Sequence, residues 1–180
     1  MPVIAKATAD TAKELPPAGL MQAVCVFVED IGIQKTEYKG ETKVQHKIVV
    51  VWEIDENEAK MDDGRRFMTS KRYTLSLSDK ANLRKDLETW RGKKFTEEEL
   101  GGFDVEKLVG ANCLLNIMHE ENAGKTYANI KGVMPLKNGM TKILPVATEV
   151  PKWIAEVRAK AVNASSLPGN VAHDDSDLPF

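Results

Sequence analysis

The chain has 180 residues, 42% hydrophobic and 29% charged, enough apolar material for one domain with a core and a tail. No apolar run approaches the roughly 20 residues that a membrane helix needs, and a net charge of −2 excludes a uniformly basic nucleic-acid coat. The charge is polarised: all 25 Lys and Arg lie at or before Lys160, as do 24 of the 27 acids, which leaves +1 there and −3 in the last twenty residues.

Residues 1–18 hold no signal-peptide core and read as a loose arm, outside any membrane. Residues 20–30, LMQAVCVFVED, alternate and are β-branched, which predicts a strand. Residues 31–42 read as a loop, and 43–54, KVQHKIVVVWEI, as a second strand. An acidic turn ending Asp-Asp-Gly separates it from a third strand, 65–78, so strands two and three form a hairpin. Cys25, in the first strand, and Cys113, further on, each sit in an apolar run. They are expected as buried, reduced thiols, which fits a cytoplasmic compartment.

The period then changes. Ser78 is a candidate cap for a helix in which Leu83, Leu87 and Trp90 share one face. Gly92 stops it, Thr96 and Glu99 match a capping box, and Gly110 ends a further helical turn. Two more strands follow, 111–119 and 125–135, joined by the loop 120–124. After a basic loop at 136–144, Pro151 opens a last helix carrying Trp153, Ile154 and Val157. Residues 162–180 have no period and are expected to be disordered.

The order β-β-β-α-β-β is that of a five-stranded OB-fold barrel, here spanning 19–161 with the C-terminal helix. Such barrels bind oligonucleotides or oligosaccharides on the strand 2–3 face and at the loops between strands 1 and 2 and between 4 and 5. Binding single strands takes cations to follow phosphates and aromatic faces for bases. The third strand offers Arg65, Arg66, Phe67, Lys71, Arg72 and Tyr73. The fifth offers Lys125, Tyr127 and Lys131 on one face, with Ala128 and Ile130 opposite. Trp52 is a further candidate, and Tyr38 a weaker one. Trp52, Phe67 and Tyr73 suit either the core or the binding face. Trp90 reads as core.

Other chemistry is not supported. The run AGKT at 123–126 lacks both the first glycine and the helix of a phosphate-binding loop, with His119 standing where the glycine belongs. His119, Glu120 and Glu121 are consecutive at a strand end and do not converge on a metal. No catalytic set, cofactor or metal is expected.

The ending, Asp174-Asp175-Ser176-Asp177-Leu178-Pro179-Phe180, closely resembles the acidic tip of bacterial single-stranded DNA-binding proteins, departing from it by Ser176 and a shorter linker. The resemblance implies a tip whose Asp174, Asp175, Asp177, Leu178, Pro179 and Phe180 dock on replication, recombination or repair enzymes such as a polymerase, helicase, exonuclease or recombinase. Burying the Phe180 ring is worth about 1.5–3 kcal/mol. The middle, SKRYTLSLSDKANLRKDLETWRGKKFTEEELGGFD with GKTYANIKGVMPL, resembles a phage-encoded family of OB-type single-stranded DNA-binding proteins over about residues 20–136. That implies sequence-independent binding to single-stranded DNA in the host cytoplasm, with no enzyme activity and with self-association left open. The alternative is an adaptor that binds protein through the barrel and mimics the host tip to capture replication enzymes.

Overall fold

The structure is a computed structural model and describes residues 14–163. It is mainly β, with one five-stranded antiparallel sheet and a few short helices. The strands are β1 (Gly19–Tyr38), β2 (Glu41–Ile54), β3 (Met68–Thr74), β4 (Asn112–Asn122) and β5 (Lys125–Met134). The helices are α1 (Asn82–Arg91), α2 (Glu97–Leu100) and α3 (Lys152–Ala159), with a 3-10 turn at Val105–Leu108. The spatial order is β3-β2-β1-β4-β5. Among the described residues no ladder joins β3 to β5, so the sheet is open at that seam.

Both hairpin turns are tighter than the loops the sequence predicts. Residues 31–42 are largely strand, because β1 and β2 pair out to Tyr38 and Glu41 around the turn Lys39-Gly40. Both turn residues have positive φ, 49° and 78°, the mirror-type geometry that matches strand twist. The β4–β5 turn is Ala123-Gly124, with φ of 50° and 78°. β3 begins at Met68 rather than at 65, because the segment before it is occupied by a turn and an isolated bridge between Lys60 and Arg66.

Helix α1 is capped backbone-only by Ala81, not by Ser78, whose backbone lies a turn too early. It ends at Gly92 in the left-handed region, and Thr96 and Glu99 form the full capping box of α2. Leu83, Leu87 and Trp90 bury α1 against the inner sheet face, and the Trp90 indole donates to the Asn112 carbonyl at 2.8 Å.

The sheet is covered on both sides. Ala23, Cys25, Ile48, Val50, Trp52, Ile54, Leu115, Ile117 and Ile130 form the inner core under α1. The alternate residues Val24, Val26, Val49 and Val51 form a second apolar layer, closed by Ile154, Trp153 and Val157 of α3 and by Ile143. Burying a side chain of this size is worth about 1.5–3 kcal/mol, so α3 is fixed to the outer face. Cys25 and Cys113 are free buried thiols, and burial pushes the Cys25 thiol up to about 12.

The segment 136–150 has no ladder of its own, and side chains of the sheet take up its backbone groups. Gln22 Nε2 donates to the Thr141 carbonyl at 2.7 Å, and Asn112 exchanges two bonds with Ile143, each 2.9 Å. Arg66 donates to the Leu144 carbonyl at 2.7 Å, and Glu53 accepts from the amides of Val146 and Ala147. This strap leads into α3 across the outer face.

Candidate functional site

Strand parity decides which predicted residues can meet a ligand. On β3, Thr69, Lys71 and Tyr73 share the inner face with Phe67 just before it, and Met68, Ser70 and Arg72 take the outer. The register agrees: Trp52 opposes Thr69 and Ile48 opposes Tyr73, while Val51 opposes Ser70 and Val49 opposes Arg72. Trp52, Phe67 and Tyr73 are therefore core residues, 1%, 7% and 4% exposed, and cannot stack on a base. Trp52 packs on Trp90, with ring centroids 6.0 Å apart.

Three of the predicted cations of this region are also paired with acids. The Lys71 ammonium and the Tyr73 hydroxyl both donate to Asp86 Oδ2 on α1, each at 2.7 Å. Burial, and then the Asp86 charge, push the Tyr73 hydroxyl well above its ordinary value of 10.0, so it stays protonated as a donor. Arg66 is tied to Glu53, Glu56 and the Leu144 carbonyl. Arg65 is exposed and pairs with Asp63 at 2.6 Å within its own turn.

The β4–β5 hairpin keeps the expected sidedness. Ala128 and Ile130 face the inner core, and Tyr127 is 46% exposed on the other face with Lys125. The same face carries acids. Glu120 lies directly opposite Tyr127 in the ladder and pairs with Lys131 at 2.6 Å. Bonds from Lys131 and then Asn129 hold the Glu120 carboxyl below the ordinary carboxylate range. Lys131 is thus neutralised locally.

Of the predicted residues that remain, Arg72 and Tyr127 meet at one cleft, which Lys125 does not line. Arg72, Ser70, Thr69, Met68 and Val51 from the β2–β3 side, Tyr127 from β5, and Pro151 with Trp153 at the start of α3 enclose about 430 Å³ at the open seam. This is within the range of small-molecule sites. The Arg72 guanidinium lies 5.5 Å from the centre of the Trp153 ring, a contact worth about 0.5–1 kcal/mol at an exposed site. No carboxylate pairs with Arg72 among the described residues. On its far side Tyr127 borders a polar groove of about 700 Å³ with Glu120, Glu121, Asn122 and Asn129. The cleft can offer two aromatic rings and a delocalised cation to a flat, anionic ligand, with carboxylates on the hairpin side.

Only Arg72 and Tyr127 of the cleft were among the predicted site residues; Trp153, Met68, Val51, Thr69, Ser70 and Pro151 were not. The signal for Trp153 was its place beside Ile154: one step round the helix from the buried residue, it sits at the margin of the apolar face. Residues 174–180, the predicted partner-binding tip, lie outside the described residues. No three His, Cys, Asp or Glu side chains are grouped to hold a metal among the described residues, and no helix there is long and apolar enough to cross a membrane.

No protein-family model matches the chain, and no curated protein does.

Proposed function

We propose that the chain is an OB-type, sequence-independent single-stranded DNA-binding protein acting in DNA replication, recombination or repair. In this reading it works in the cytoplasm of a phage-infected cell and recruits partner enzymes through Asp174, Asp175, Asp177, Leu178, Pro179 and Phe180. The strand order supports it, with β1 between β2 and β4 and α1 lying between β3 and β4 in the chain. The observation that carries it is the cleft in which Tyr127, Trp153 and Arg72 meet.

The mechanism is stacking plus phosphate neutralisation. Bases stack on Tyr127 and Trp153, at about 1–3 kcal/mol each, and Arg72 with Lys125 follows the backbone. Two stacks alone give a Kd of roughly tens of micromolar at best. One subunit is therefore a weak binder on this site alone, and further contacts or several subunits set the working affinity.

Titration with oligo-dT and a matched duplex, at low and high salt, tests the reading on the full chain and on a version ending at Ala172. Salt-sensitive binding to the single strand by both versions is the expected result, and no binding by either overturns it. One observation favours a second reading, the protein-binding adaptor: Arg66, Lys71 and Lys131 are all paired with acids, which leaves few cations for phosphate. That reading gains if the titration fails and a partner enzyme is captured only by the chain with its last seven residues.

A further inference from the structure

Beyond the cleft, the outer part of the β1–β2 hairpin is a feature without an assigned role. β4 pairs only with Gly19–Val24 of β1, and β3 only with Lys47–Glu53 of β2. From the pair Gln34–Gln45 to the pair Tyr38–Glu41, no other strand flanks this ribbon among the described residues. Five pairs at about 3.3 Å each make it about 17 Å long. A free two-stranded ribbon is marginal in water, and this one is fastened at its root. His46 bonds Asp30 at 2.7 Å, the Gly32 amide donates to the same carboxylate, and Arg158 and Val162 bond the carbonyls of Asp30 and Ile33. The fold thus holds out a polar finger fastened at its root.

We infer that this ribbon is a second nucleic-acid contact, one that seats in the major groove of duplex next to the bound single strand, so that the protein reads a single-strand/double-strand junction. The inference rests on the single-strand reading of the cleft. A major groove about 12 Å wide admits a two-stranded ribbon, and ribbons are an established way of entering it. The ribbon carries Lys35, Lys39 and Lys43 against Glu37 and Glu41, with Thr42 and Gln45 as hydrogen-bonding side chains; Lys35 pairs with Glu37 at 3.8 Å, a long contact between exposed side chains. Apart from Tyr38 and Val44 it has no large apolar group, which disfavours a protein interface built on a hydrophobic centre. Placement supports the pairing of the two sites. α3 has Trp153 in the cleft at its start and Arg158 on the ribbon root at its end. Its eight residues span about 12 Å, so duplex on the ribbon and a strand in the cleft are near neighbours.

The experiment compares three ligands: an oligo-dT, the same oligo-dT as the tail of a duplex, and the blunt duplex. Three full-length proteins are used: the natural chain, a chain with residues 35–44 replaced by Asn-Gly, and the triple variant Lys35→Gln, Lys39→Gln, Lys43→Gln, which leaves the backbone intact. The natural chain is expected to bind the tailed duplex several-fold more tightly than the tail alone. Both variants keep the affinity for oligo-dT and lose that excess, and the triple variant lowers the salt slope on the tailed duplex by about 2. Equal affinity for tail and tailed duplex in the natural chain overturns the inference and leaves the cleft reading intact, as does an excess that survives in the triple variant. Failure to bind oligo-dT overturns the cleft reading, and binding none of the three overturns both.

Discussion

The Arg66 guanidinium and the Glu53 carboxylate form an ion pair, 3.1 Å from Nη1 to Oε2, with side chains only 13% and 3% exposed. Glu53 also receives the amides of Val146 and Ala147, and Arg66 holds the Leu144 carbonyl. The pair therefore anchors the strap that crosses the outer sheet face. Removing one partner leaves the other charge buried and uncompensated, which costs about 3–5 kcal/mol in general. With two amide donors still on Glu53, Arg66→Ala is expected to cost about 2–4 kcal/mol. Urea unfolding measures this. Single-strand affinity per folded molecule is expected to stay within twofold, and a large loss there would return Arg66 to the DNA contacts.

The cleft makes a sharper prediction. Trp52 and Trp90 are buried, and Trp153 borders the cleft. Quenching of tryptophan fluorescence by oligo-dT should therefore vanish in Trp153→Phe, while an electrophoretic shift persists at reduced affinity. Tyr127→Ala is expected to weaken binding by about 1–3 kcal/mol with little change in salt slope. Arg72→Ala should lower the slope by about 1. Quenching that survives in Trp153→Phe would place the strand elsewhere.

The hairpin acids set a third test. Glu120 neutralises Lys131 beside Tyr127. Glu120→Gln should free Lys131, tighten single-strand binding and steepen the salt slope by about 1. Lys131→Gln should change little. The reverse pattern in a salt titration would mean that Lys131 already leaves Glu120 for phosphate.

These corrections show where local pattern reaches its limit. The five strands, the apolar face of α1, the Thr96–Glu99 box and the outward Tyr127 were all legible, because each depends on neighbours in sequence. The sidedness of β2 was not. Ile48 through Asp55 are all buried, since α1 covers one face and α3 with the strap the other. Alternation disappears when both faces are apolar, so Trp52 gave no sign of its direction. Lys71 looked like a ligand cation because its partner, Asp86, lies on α1, fifteen residues further along the chain, and only folding brings them together. Trp153 packs on the outer apolar layer and also lines the cleft that the β3–β5 seam leaves open, a double placement that the pattern of its own helix does not show.

The buried thiols predict a pH dependence with a definite sign. Burial raises Cys25 from 9.0 to about 12, and Cys113 moves the same way through burial and the nearby Cys25. Below pH 9 both folded and unfolded states keep the proton, and the thiol's contribution to stability is complete. Between pH 9 and about 12 the unfolded state loses the proton first, so stability falls as pH rises. The gap at Cys25 corresponds to about 4 kcal/mol by pH 12. Tyr73, also raised, adds to the fall above pH 10. Urea midpoints measured from pH 7 to 11 should stay level to about pH 9 and then drop. Cys25→Ala should start lower, because of the cavity, and drop less steeply. In the native state both thiols should resist a thiol reagent until urea unfolds the chain. Rapid native labelling, or an unchanged slope in Cys25→Ala, would show that Cys25 is open to water.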